Sequence, residues 1–368
     1  MATATNPKKL LWYNLTLIGF VSIWGLANVV NNFAEEGMVV VTSWLIIMAI
    51  YFIPYALMVA QLGSTFATDR GGISSWIKDL TSTKIAYLAA WTYWVVNVTY
   101  LAQKSQTLVV AGSWLFEGDG NFVKNSSSTL VQILTLVIFL TFLYLASRGM
   151  TTISRIATIA GIAMVLMSVL FIVLGLSAPA MNGGQIATAH MDRLETYLPK
   201  FDFRYFTTIS MLVFAVGGAD KLSPYVSKMH DARRSFPKGL IFLALLVVIS
   251  ALLGSFAMGI LFDAHHVPDD LMANGVYEAF MRLGSYYHLG KSLMIIYAVA
   301  NVLATAAGLI ISIDAPLRIL LADADSKYIP TRLSHKNAAG IPINGYKLTG
   351  ILVSIIILIP SLGIKGTN

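Results

Sequence analysis

The sequence predicts an all-α membrane protein in which nine helices cross the bilayer as one bundle. Its 368 residues are 57% hydrophobic and only 12% charged, and the mean hydropathy is +0.72. A soluble domain usually has about a quarter of its residues charged. Nine apolar runs are each long enough, at about 20 residues, to cross a hydrocarbon core roughly 30 Å thick. Because backbone groups that face lipid must be bonded within their own segment, each run is expected to be helical.

The distribution of basic residues predicts the orientation of the bundle. The nine predicted spans are 11–30, 42–62, 85–116, 130–147, 156–178, 206–227, 239–262, 291–317 and 345–363. With a cytoplasmic N-terminus, 16 of the 25 Lys and Arg residues lie in inner segments or at inner span ends, seven in outer segments or at outer span ends, and two deeper inside spans. Cytoplasmic loops are enriched in Lys and Arg. We therefore expect a multi-pass protein of the cytoplasmic membrane, whose net charge of +7 faces anionic lipid and not nucleic acid.

Several functional classes are disfavoured by the residue types present. The chain has no cysteine and so offers no disulfide or thiolate metal site. It has no HExxH motif, no GxSxG elbow and no carboxylate pair at catalytic spacing, so an enzyme is the weaker hypothesis. His265 and His266, followed by Asp269 and Asp270, could suggest a metal site or a pH sensor, but an external solvated loop is favoured. We expect no metal and no cofactor.

Small, flexible residues interrupt the first and the sixth predicted spans. Gly25 lies in the first, and Gly217 and Gly218 lie in the sixth, about 190 residues later. Two adjacent glycines destabilise a helix by roughly 1 kcal/mol each. This offset is what a repeat of five helices used twice would give, and an odd number of helices inverts the second copy.

Amphipathic segments between the second and third helices of each copy agree with the inversion. Residues 72–78 lie inside and residues 275–283 lie outside in the predicted topology. We therefore place the first repeat at 1–178, an external linker at 179–205 and the second repeat at 206–368. The second repeat is expected to be truncated, because no fifth helix follows its fourth.

Five stretches, in this order and spacing, give the chain a resemblance to a known superfamily. They are 21–32, 51–66, 71–78, 214–238 and 315–342. They resemble the amino acid, polyamine and organocation (APC) transporters, and in particular bacterial amino acid permeases near the glutamate/GABA antiporter group. The resemblance implies a leucine-transporter-like fold of twelve helices, of which this sequence resembles the first nine. It also implies a secondary transporter that moves amino acids by alternating access.

The resemblance implies where an amino acid would bind. In such transporters the broken first helix offers backbone amides to the substrate carboxylate, and the broken sixth helix offers carbonyls to its amino group. The corresponding residues are Ser22, Trp24, Gly25, Leu26, Ala27, Asn28, Phe214, Ala215, Val216, Gly217 and Gly218. A helix broken at mid-membrane also exposes a positive dipole end, which suits a carboxylate. The alternatives are close helix packing for Gly25 and Ala27 and simple packing, instead of a lid, for Phe214.

Polar residues inside other spans are weaker candidates. Asp220 and Lys221 follow the second break, where an ionisable side chain is costly unless it faces a cavity or a partner. Coupling or gating and a hydrated helix end are equal alternatives for Asp220, and Lys104 is expected to snorkel to the outer interface. The candidates for which cavity lining and interhelical hydrogen bonding both remain open are Asn97, Tyr100, Gln103, Asn301, Thr305, Ser312 and Asp314.

The energetics of transport and the substrate are less constrained by the sequence. Sodium-coupled relatives bind the ion with carbonyls of the first helix and hydroxyls of the eighth, and some proton-coupled relatives place a lysine in the fifth. The aligned position here is apolar, near Met164, which weakens the proton-coupled model. Exchange needs no such ion site and is favoured, with proton- or sodium-coupled symport as the alternative. With no charged residue placed firmly in the cavity, small neutral amino acids are favoured, although the nearest group implies glutamate-like substrates. A truncated remnant that does not transport is the remaining alternative, and the oligomeric state is not predicted.

Overall fold

The computed structural model describes residues 10–68, 72–268, 270–321, 327–337 and 341–362, and the regular structure within these ranges is helical. The α-helices are α1 (Trp12–Ile23), α2 (Leu26–Glu36), α3 (Val40–Ile47), α4 (Ile53–Thr65), α5 (Ile73–Leu80), α6 (Thr83–Phe116), α7 (Phe122–Asn125), α8 (Ser128–Ala146), α9 (Met150–Met181), α10 (Phe203–Val216), α11 (Ala232–Leu261), α12 (Leu271–Tyr286), α13 (Ser292–Leu321), α14 (Thr331–Ser334) and α15 (Ile343–Leu358). A π-helical turn spans Met48–Phe52, and 3-10 helices span Gly37–Val39, Leu194–Tyr197, Ala219–Lys228 and Ile359–Leu362.

Both helices that the sequence predicts to be interrupted are interrupted. The first consists of α1 and α2, which are separated by Trp24 and Gly25. The sixth consists of α10 and the 3-10 helix Ala219–Lys228, which are separated by Gly217 and Gly218. The second predicted span also has an irregularity that the sequence analysis missed, because a π-helical turn joins α3 to α4.

Among the residues that the structure describes, five segments are long and apolar enough to cross a membrane by length and composition. They are Trp12–Thr65, which contains α1 to α4, and Ser128–Ala146, Met150–Met181, Ala232–Leu261 and Ser292–Leu321. The helix α15 is apolar but shorter. The helices α6 and α10, which lie in the third and sixth predicted spans, are outside this criterion. In α6, which is 34 residues long, polar side chains lower the hydropathy. Several of them line a cavity described below.

The bundle is built around α13, which packs against α6, α9, α8 and α1, while α11 packs against α1, α4 and α9. Glycines allow two of these contacts. A Cβ atom at Gly161 in α9 would stand 2.8 Å from the carbonyl oxygen of Leu17 in α1. A Cβ atom at Gly239 in α11 would stand 2.9 Å from the carbonyl oxygen of Trp12. Small residues of this kind let helix backbones approach closely in a membrane.

The amphipathic helices α5 and α12 occupy related positions in the two halves. The helix α5 packs against α6 and against the 3-10 helix that follows α10, whereas α12 packs against α13 and α2. The helix α5 thus contacts the third and sixth spans, and α12 contacts the eighth and first spans. The two sets of contacts correspond when the first span is matched with the sixth and the third with the eighth. This is the relation that an inverted repeat requires. The boundaries of the two repeats and their linker stay a prediction.

Candidate functional site

The break in the first helix is held open by an extended backbone. Trp24 has φ −118° and ψ 153°, and Gly25 has φ −165° and ψ 157°, so both have an extended backbone, although the Trp24 amide still donates to the Phe20 carbonyl oxygen at 2.9 Å. The Trp24 ring is 4% exposed and packs edge-on against Trp44 at 5.5 Å between centroids. The first amides of α2, which begins at Leu26, have no acceptor within the helix and lie at its positive end.

Gly25 does not serve helix packing. A Cβ atom built on it meets nothing within 4 Å, in contrast to Gly161 and Gly239. The packing alternative that the sequence left open is therefore wrong for this glycine. The open space in front of it is part of the cavity described below.

The break in the sixth helix exposes carbonyls, since the last carbonyls of α10 have no partner within the helix. The helix ends at Val216, and Gly217 is extended with φ −68° and ψ 152°. Gly218 has φ +110°, a left-handed backbone conformation that residues other than glycine adopt only with strain. The chain then turns into the 3-10 helix that begins at Ala219.

The Asn28 side chain joins the two breaks. Its Nδ2 atom donates to the carbonyl oxygen of Ala215 at 3.1 Å, across 187 residues of sequence. The same nitrogen lies 3.5 Å from the carbonyl oxygen of Ile23, at the end of α1. Asn28 therefore fixes the distance between the start of α2 and the end of α10.

Replacing Asn28 with aspartate is expected to separate the two breaks. The carboxylate cannot donate to the Ala215 carbonyl, and the buried acceptor that loses its partner costs about 1–3 kcal/mol. The unfolding temperature in detergent and the rate of uptake in proteoliposomes would both decrease. The substitution Asn125→Asp, on the surface, would change neither. Unaltered stability and uptake in the Asn28 variant would contradict this role.

A cavity of about 1230 Å³ lies between the two breaks, α6 and α13. Its wall includes these sequence-predicted residues: Ser22, Trp24, Gly25, Leu26, Ala27, Asn28, Asn97, Tyr100, Phe214, Ala215, Gly217, Gly218, Asp220, Lys221, Asn301 and Thr305. Four predicted residues are not in the wall, and two of them, Ser312 and Asp314, are described below. Val216 is 0% exposed and packed in the core, and Gln103 is exposed outside the cavity. Phe214 is 81% exposed, so its ring does not cover the cavity in this conformation.

Two of the weaker candidates make bonds between helices. The Asn97 Nδ2 atom donates to the carbonyl oxygen of Ser312 at 2.6 Å, and the Asn301 Nδ2 atom donates to the Tyr277 hydroxyl at 2.7 Å. Both alternatives left open by the sequence thus apply at once, because these amides line the cavity and also bond neighbouring helices. Ser312 and Asp314 are buried and are not part of the cavity wall.

Asp220 lies in the cavity wall, in the first turn of the 3-10 helix, and is hydrogen-bonded to tyrosine. The Tyr55 hydroxyl donates to its carboxylate, and its own backbone amide donates to that hydroxyl at 3.3 Å. The Tyr93 hydroxyl lies near the same carboxylate, and Tyr51 stacks on Tyr55 with 5.6 Å between ring centroids. The sequence analysis missed these tyrosines; only the helical spacing of Tyr51 and Tyr55 hinted at a shared face.

Lys104 also lines the cavity, so the prediction that it snorkels to the outer interface is wrong. A Cβ atom at Gly308 in α13 would stand 3.8 Å from the Lys104 Nζ atom and 3.1 Å from the carbonyl oxygen of Val21 in α1. The ammonium group therefore reaches the place where α1 and α13 meet. The premise that the cavity holds no charged residue is consequently wrong as well.

Metal binding has no support in the described part of the chain. No group of three or more His, Asp or Glu side chains there could hold a metal ion. In the loop after α11, His266 Nδ1 lies 2.8 Å from Asp263 Oδ2. The His265 backbone amide, and then the His266 ring, lower the pKa of the Asp263 carboxyl. Asp269 lies outside the described residues.

Comparisons with known proteins assign a family to this architecture. The family model described as amino acid permease matches residues 10–367. The aspartate/glutamate permease AcaP of Lactococcus lactis subsp. cremoris (strain MG1363) is 53% identical over 364 residues, which are 99% of this chain and 74% of AcaP. A glutamate/gamma-aminobutyrate antiporter of the same strain is 22% identical over 99% of this chain and 71% of its own length.

A solved structure has the same fold. The crystal structure of MhsT in complex with L-phenylalanine matches with a TM-score of 0.67 and 16% sequence identity, and the match covers 95% of this chain and 79% of that chain. This likeness confirms the predicted leucine-transporter-like fold.

Proposed function

Since this chain belongs to the amino acid permease family, we propose that it is a secondary transporter that moves amino acids across the cytoplasmic membrane by alternating access. The observation that supports this most directly is the meeting of two helix breaks at one cavity. The first amides of α2 have no acceptor within the helix and suit an α-carboxylate. The last carbonyls of α10 have no donor within the helix and suit an α-ammonium, although Phe214 and Ala215 already accept one hydrogen bond each, from Gly217 and Asn28. An amino acid presents both groups on one carbon.

We infer that transport occurs by exchange. The fifth-helix position that would hold a coupling lysine is apolar, and Met164 lies there in the cavity wall. The junction of α1 and α13 already contains the Lys104 ammonium, beside the Val21 carbonyl and Gly308. A positive charge at this place disfavours a bound sodium ion. The antiporter among the relatives agrees with exchange.

The proposed substrates are acidic amino acids, because AcaP, at 53% identity, is an aspartate/glutamate permease. This replaces the expectation of small neutral amino acids. The proposed orientation has the N-terminus in the cytoplasm, which the excess of Lys and Arg in the inner segments supports. The related contacts of α5 and α12 support the proposed division into two repeats, at 1–178 and 206–368 with the linker at 179–205.

The test is uptake of labelled L-glutamate and L-aspartate into proteoliposomes, with and without unlabelled amino acid inside. Uptake is expected to require internal amino acid and to be unchanged by a sodium gradient. Uptake into empty vesicles that follows a sodium or proton gradient would contradict exchange and favour symport. A folded protein that takes up no amino acid from a broad panel would contradict transport itself.

A further inference from the structure

Two lysines in the cavity wall have no carboxylate partner among the described residues. Lys104 in α6 and Lys221 in the 3-10 helix are partly buried, and both line the cavity. Within the described ranges of the chain, neither ammonium forms a salt bridge with an acidic side chain. Ionisable groups inside a membrane protein are costly unless they pair or face a cavity, and they mark substrate pathways. Their lack of a partner points to an anionic ligand.

Both charges lie around the ring of Tyr100. The Lys221 Nζ atom lies 5.0 Å from the centroid of this ring, at a cation–π distance. Lys104 lies one helical turn after Tyr100, and its ammonium is near the Tyr100 hydroxyl. Tyr100 is itself part of the cavity wall. The two lysines therefore approach a common region from different helices.

Each lysine reaches this region over a glycine. The Cδ and Cε atoms of Lys221 lie 3.5 and 3.6 Å from the position of a Cβ atom on Gly218, so the side chain folds back over the second break. The Cε atom of Lys104 lies 3.5 Å from the corresponding position on Gly308. The ammonium groups are thus held beside the two interrupted helices, which supply the backbone groups for an amino acid.

The nearby carboxylate does not neutralise these charges. Asp220 accepts a hydrogen bond from Tyr55 and forms no salt bridge with Lys104 or Lys221. The formal charge of the three groups is +1. A neutral amino acid brings an α-carboxylate and an α-ammonium that cancel, whereas aspartate or glutamate brings one further negative charge. An acidic amino acid therefore balances the cavity, and a neutral one does not.

We propose that Lys104 and Lys221 form a two-lysine site for the side-chain carboxylate of an acidic amino acid and set the preference for a carboxylate over an amide. This rests on the proposed function, because it assumes that an amino acid occupies the cavity. Lysine ammonium groups on flexible stems fit a carboxylate at more than one reach, so the same pair accommodates aspartate and glutamate.

The test compares each acid with its amide. Uptake and binding of L-glutamate, L-glutamine, L-aspartate and L-asparagine would be measured for the native protein, Lys104→Met, Lys221→Met and Lys104→Arg. Lys84→Met, at the other end of α6, is the matched control. Each Met variant is expected to weaken acid binding roughly 10- to 100-fold and to change amide binding by less than about threefold. The Lys104→Arg variant, which keeps the charge, is expected to retain the preference for acids.

The remaining outcomes distinguish a failure of the two-lysine site from a failure of the proposed transport function. Equal losses for acids and amides would overturn the proposal, because the lysines would then act on structure. An unchanged preference in both Met variants would also overturn it. If Lys104→Met does not fold, the ratio of acid binding to amide binding in Lys221→Met alone decides the question. A native protein that binds none of the four amino acids would contradict the proposed function, and the lysine site with it.

Discussion

Replacing Gly25 with leucine is expected to reduce amino acid uptake at least about a hundredfold while the protein stays folded. The backbone of Gly25 is extended, which any residue adopts, and a Cβ atom there meets nothing within 4 Å. A leucine side chain would therefore enter the cavity without a clash and occupy the space where a carboxylate approaches the first amides of α2. A displacement of about 1 Å at a reacting or binding centre already costs on the order of 100-fold.

The stability of this variant separates blocked binding from misfolding. The loss of glycine at the position before α2 lowers the free energy of unfolding by on the order of 1 kcal/mol. The unfolding temperature in detergent would therefore shift little. Gly112→Leu is the matched control, because a Cβ at Gly112 also meets nothing within 4 Å and Gly112 is outside the cavity wall. Gly161→Leu would destabilise the bundle through the backbone of Leu17. Native uptake by Gly25→Leu would show that no substrate approaches this break.

Replacing Asp314 with alanine is expected to destabilise the bundle by up to about 3–5 kcal/mol, because it leaves the partly buried Arg318 without its partner. Asp314 is 0% exposed, and its Oδ2 atom lies 2.6 Å from Nε of Arg318. The same atom accepts a hydrogen bond from the Tyr225 hydroxyl at 3.2 Å, and the other oxygen accepts one from Tyr346. One carboxylate thus joins α13, α15 and the 3-10 helix after the second break.

A second substitution in the same variant tests the cause of this loss. Removing both charges, with Asp314→Ala and Arg318→Met together, is expected to cost less than Asp314→Ala alone, because no unpaired charge remains. Thermal unfolding of the detergent-solubilised variants measures both effects. A single variant as stable as the native protein, or a double variant that is less stable than the single one, would contradict the assignment.

The part of the candidate site formed by the two helix breaks was predictable from the sequence. The interruptions at Gly25 and at Gly217 and Gly218 are local features, since glycine weakens a helix wherever it occurs. The residues around both breaks therefore lie in the cavity wall, apart from Val216. The side chains that bond Asp220 were not predictable, because Tyr55 is 165 residues distant in sequence. Contacts across such separations leave no local pattern.

The sequence by itself determined the helical class, the approximate positions of the long helices and the two breaks, since run length, composition and glycine content act within each segment. Only the tertiary structure decided which side chains face the cavity. Gln103 and Lys104 are neighbours, yet Lys104 lines the cavity and Gln103 is exposed outside it. Successive residues of a helix point about 100° apart. The rotation of α6 about its own axis determines which of the two residues faces the cavity, and packing against α13 fixes that rotation. The sequence of α6 alone does not show which helix it packs against.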